Sequence, residues 1–66
     1  MRDEFKAQID AAVAKRRSEL QALTVNEVGE EFRFVFQMHP DLLLGKENLI
    51  DRILAKVRAE LARHAN

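Results

Sequence analysis

Residues 30–40 read "EEFRFVFQMHP". Three of the chain's four phenylalanines fall here, with Val35 and Met38, inside the seven positions from Phe32 to Met38. Whether this stretch is a strand or a helix decides the fold. As a strand, Phe32, Phe34, Phe36 and Met38 face one way, and Arg33, Val35, Gln37 and His39 face the other. Its aromatic and β-branched content suits that reading. The residues upstream point the other way. Thr24 followed three positions later by Glu27 is a capping box, and Glu27, Glu30 and Glu31 bring negative charge to the positive end of a helix dipole. Val25, Val28, Phe32, Val35 and Phe36 then share one helical face, with Pro40 as a stop. No second strand is visible to pair with a first. The spacing therefore predicts a helix over 25–38, with Gly29 inside it costing about 1 kcal/mol relative to alanine.

Two more helices flank it. Over 2–23, Phe5, Ile9, Ala12, Val13, Leu20 and Leu23 recur at roughly 100° per residue, and Asp3 and Glu4 occupy the first turn. Arg16 projects into the middle of that face. It either snorkels, with its stem on the core and its head in water, or pairs with an acid on another chain. Ala7, Ala11, Ala14, Ser18 and Ala22 line the opposite face, where helix propensity alone accounts for alanine. Over 46–64, Leu49, Ile50, Ile53, Leu54, Val57 and Leu61 form an apolar stripe. Basic residues gather towards its C-terminal end, where the dipole favours them.

The fold class expected is all-α: one domain over 1–66 built of three helices. With 66 residues, a chain buries only about 60% of its unfolded surface, so its own core is marginal. There are no cysteines to staple it. The middle helix is apolar nearly all round towards its C-terminal end, and such a helix is buried on all sides. Two amphipathic neighbours leave Phe34 and Met38 uncovered. An intertwined or side-by-side homodimer is expected, with Phe32, Phe34, Phe36, Met38 and Arg16 at the interface with the second copy or another protein, and the middle helix as the hydrophobic centre.

Eleven basic and eleven acidic residues cancel, which removes any long-range attraction to nucleic acid or anionic membrane. No run of large apolar residues exceeds the three of Leu42–Leu44, far short of a membrane span. The opening "MRDEFKAQID" lacks the apolar core of a signal peptide. A cytoplasmic location is the expectation.

Catalytic constellations are not found. Ser18 and Thr24 are the only hydroxyl residues, and Thr24 is explained as a cap. His39, Pro40 and Asp41 read as a helix end and turn, not as a nucleophile, base and orienter. Glu30 and Glu31 are adjacent and diverge on a helix. "LLLGKEN" (42–48) lacks the earlier glycine and the Ser/Thr of a phosphate-binding loop. No metal-ligand spacing is present. No enzyme activity, cofactor or metal is expected.

Basic residues raise one rival. Lys15, Arg16 and Arg17 form a short run, and Arg52, Lys56 and Arg63 align along the third helix, a stripe able to track phosphates. "LTVNEVGEEF" (23–32) resembles the opening of the helix-turn-helix in small excisionase-like regulators. The resemblance covers about ten residues and rests on the cap and apolar spacing. A turn and a recognition helix should follow; here the phenylalanine cluster follows instead. The expected function is a small non-catalytic interaction module, such as an inhibitor, adaptor or regulatory subunit, acting as a homodimer. The alternative is a dimeric DNA-binding transcriptional regulator reading DNA through Arg52, Lys56 and Arg63.

Overall fold

The computed structural model describes residues 3–64. Three α-helices account for most of them: α1 (Asp3–Gln21), α2 (Val25–Phe36) and α3 (Lys46–His64), with one turn of 3-10 helix, Leu42–Leu44, leading into α3. No strand occurs among the described residues, so the capping box and helical spacing prevail over the two-residue alternation of Phe32–Met38.

Both halves of the capping box form. The Glu27 backbone N–H donates to Thr24 Oγ1 at 3.2 Å, and the Thr24 backbone N–H donates to Glu27 Oε1 at 2.9 Å. Two N–H groups that a helix start leaves without partners are thereby satisfied. Thr24 must be extended to do this, with φ −73° and ψ 165°. That requirement ends α1 at Gln21, two residues before the expected Leu23. The chain tightens there, and the Leu23 N–H reaches back only to the Leu20 carbonyl, at 3.1 Å. The expected start at Arg2 lies outside the described residues.

The end of α2 also falls two residues early, at Phe36 and not Met38. Gln37 turns into the left-handed region, with φ 58° and ψ 33°, while its N–H donates to the Arg33 carbonyl at 2.8 Å. Pro40 biases His39 towards extended backbone, so the helix must be closed before His39. Asp41 then caps the 3-10 turn by accepting from the Leu43 N–H at 3.0 Å. Gly45 links that turn to α3 at φ 89° and ψ 155°, a backbone region essentially confined to glycine.

The centre of the molecule is α3, not the expected α2. Four of the nine buried apolar residues are Leu49, Ile50, Ile53 and Leu54 on α3. Their stripe is wide because two adjacent pairs contribute, so one edge meets α1 (Ile9, Val13, Leu20) and the other meets α2 (Val28, Phe32). No single stripe on α2 can do the same, because Phe34 points away from Val28 and Phe32. α1 and α3 run antiparallel. Arg58 donates to Asp10 at 2.7 Å and Arg17 to Asp51 at 3.0 Å. The two pairs lie seven residues apart on each helix, two turns in opposite directions, which sets the register. Lys46 Nζ closes the end of the pair by donating to the Gln21 carbonyl at 2.6 Å, at the negative pole of α1.

Gly29 is explained by packing. A Cβ there would lie 2.9 Å from Leu42 Cδ2 and 3.4 Å from Pro40 Cγ. The segment after α2 folds back onto the helix at the one position that lacks a side chain.

Candidate functional site

Of the five residues expected at an interface, the fold separates three fates. Phe32 is buried in the monomer core and its ring stacks at a tilt on Phe36, centroids 4.5 Å apart. Phe36 is half-buried against the same core. Phe34 and Met38 are exposed, at 77% and 59%. Arg16 lies half-buried between α1 and α2, and finds its acids within the chain: Glu31 of α2 at 3.2 Å and Glu19 at 3.4 Å. Its head is therefore paired within the chain.

The exposed surface at the C-terminal end of α2 has two parts. One is the outward face of α2. Phe34 stands there among Glu27, Glu30 and Glu31, with Leu23 beyond them. Glu27 is engaged by Thr24, and the backbone N–H of Thr24 is the main cause that holds its carboxyl below the usual glutamate range, with the Thr24 hydroxyl adding to it. Glu31 is engaged by Arg16. Glu30, one turn before Phe34 on the same face, makes no ion pair among the described residues.

The second part is a surface groove of about 420 Å³ between α2 and α3. Phe32, Phe36, Met38 and Ala55 form its apolar wall, and Arg52 and Lys56, one turn apart on α3, form its charged rim. Met38 also lines the hollow beside Phe34, so the two parts meet at the end of α2.

The basic stripe of α3 is interrupted. Lys56 pairs with Glu60 at 3.4 Å, and Arg63 approaches the same Glu60 carboxylate at 3.8 Å. Arg52 makes no ion pair among the described residues. Arg17 is drawn off to Asp51 and Glu47. His39 and His64 are exposed and lie at opposite ends of the chain's second half. Among the described residues no cluster of His, Asp or Glu is placed to hold a metal ion, and no helix is long and apolar enough to cross a membrane.

One exposed residue escaped the sequence reading. Leu43, at the tip of the 3-10 turn, is 96% exposed, with Leu42 beside it half-covered. Its signal was an apolar run held between Pro40 and Gly45, in a segment too short to bury three leucines. Of the three, Leu44 packs on the core and Leu42 lies over Gly29.

No protein-family model matches the chain, and neither a curated protein nor a solved structure matches it.

Proposed function

We propose that the chain is a non-catalytic protein-interaction module that acts as a homodimer, in the manner of a small inhibitor, adaptor or regulatory subunit. The observation that carries this reading is the exposure of Phe34 and Met38 at one end of α2. Aromatic side chains and methionine are enriched at protein interfaces, and a contiguous apolar surface rimmed by charge marks an interaction site. The chain has few hydroxyl and imidazole groups, and among the described residues no hydrogen bond joins one of them to a carboxylate.

Duplex DNA binding through Arg52, Lys56 and Arg63 is the less favoured reading, because Glu60 places a carboxylate between two of the three cations. The two readings separate on salt. Affinity for DNA that falls steeply with rising salt, and less steeply after all three are changed to glutamine, would reverse the choice.

The test of the interaction reading is sedimentation equilibrium at micromolar concentration. The wild type should show twice the 7.6 kDa chain mass, and Phe34→Asp should show the monomer, since a carboxylate is not desolvated there without a counter-charge. A wild type that stays at 7.6 kDa throughout defeats the homodimer.

A further inference from the structure

We infer that the second copy docks by inserting Phe34 and Glu30 of its α2 into the groove of the first, Phe34 against Phe32, Phe36 and Met38, and Glu30 against Arg52. This rests on the homodimer reading above and gives it a register.

Three observations lead here. The groove has an apolar wall and a cationic rim, so the occupant it fits carries an apolar anchor beside a carboxylate. The chain itself presents that combination, because Phe34 and Glu30 are one turn apart on the outward face of α2. Finally, the two charges that would meet make no ion pair in the monomer among the described residues, a state that Arg33, three residues after Glu30, shares. Three of their charged neighbours are engaged within the chain: Glu27 by Thr24, Glu31 by Arg16 and Lys56 by Glu60.

Symmetry closes the assembly. The anchor and the groove lie on different faces of α2, and a contact between unlike patches either closes or runs on as a filament. Met38 borders both patches. A two-fold axis beside Met38 lets both contacts form at once, giving a dimer with two equivalent Phe34 insertions. The zero net charge of the chain sets no repulsion against it.

The experiment is a charge exchange read by sedimentation equilibrium, with far-UV circular dichroism to establish that each variant is folded. Glu30 and Arg52 are both exposed, so E30K and R52E keep the fold; Glu30→Gln and Arg52→Gln serve as milder substitutes if either does not. Phe34→Ala should raise the dimer dissociation constant about thirty-fold or more, as truncation of an interface anchor does. E30K and R52E should each weaken the homodimer, because each sets like charges against one another in both contacts. An equimolar mixture of the two should associate more tightly than either alone. In that mixed dimer one contact is the wild-type ion pair and the other is the same pair with its charges reversed. The double variant E30K/R52E should likewise recover the wild-type dimer, with both contacts reversed. If Phe34→Ala dissociates the dimer but neither the mixture nor the double variant shows any recovery, the register is wrong while the homodimer stands. A wild type that is monomeric at every concentration overturns both together. A ladder of species heavier than the dimer overturns the two-fold closure.

Discussion

Replacing Gly45 with alanine tests backbone strain without adding a side-chain contact. Gly45 holds φ 89° and ψ 155°, where an L-residue costs about 1–3 kcal/mol. It cannot relax cheaply. Its N–H donates to the Leu42 carbonyl at 3.2 Å, and its carbonyl accepts the first backbone bond of α3 from Leu49 at 3.1 Å. Nothing lies within 4 Å of the Cβ that alanine would add, so neither a clash nor a new contact confuses the result. The unfolded chain works in the opposite direction, because alanine there has fewer conformations to lose, an effect of about 0.4–1 kcal/mol. The net expectation is a loss of about 1–2 kcal/mol, against a total for a chain of this length of about 3–10 kcal/mol. A thermal melt followed by far-UV circular dichroism should move down by about 5–15 °C. Gly45→D-Ala, made by chemical synthesis, provides the control: its mirror-image preference accepts positive φ, and its melt should match or exceed the wild type. A Gly45→Ala melt within about 2 °C of wild type would refute the argument, since α3 would then start without holding this residue at positive φ.

Other expected outcomes are these. Gly29→Ala should stabilise by about 0.5 kcal/mol, because the helix gains about 1 kcal/mol and the flexible end of the exposed Leu42 swings away from the new Cβ; a loss in urea denaturation would mean that Leu42 is pinned, and Leu42→Ala should then restore the gain. Gln37→Gly should stabilise by about 0.5–1 kcal/mol, since glycine takes the left-handed cap without strain and the Gln37 side-chain bond to the Phe34 carbonyl that is lost is exposed; denaturation midpoints decide it. Thr24→Ala should cost about 1 kcal/mol through the lost cap. Glu27→Gln should keep the reciprocal bonds and lose a pH dependence: a carboxylate held below its ordinary range stabilises the fold at neutral pH, and that contribution fades as pH falls through the folded-state value. The wild type should therefore lose more stability than Glu27→Gln in acid titrations of the melt, and parallel curves would deny the shift.

Local chemistry made the helices legible before any packing was known. Thr24 and Glu27 form a cap between near neighbours, and the apolar stripes of α1 and α3 are equally local, because both depend only on residues three or four apart. The same local logic marked Phe34 and Met38 as surplus apolar surface. The tertiary structure decided what depends on distant parts of the chain. It made α3 the centre, because only a stripe as wide as Leu49, Ile50, Ile53 and Leu54 can serve two neighbours. It sent Phe32 into the core and left Phe34 outside, since which side of an apolar helix is covered depends on where the other helices lie. Glu31 became the partner of Arg16 only once the chain turned back at Thr24. The end of α2 moved to Phe36, because Leu42 and Pro40 return to pack over Gly29, a contact between distant positions that no short-range pattern records.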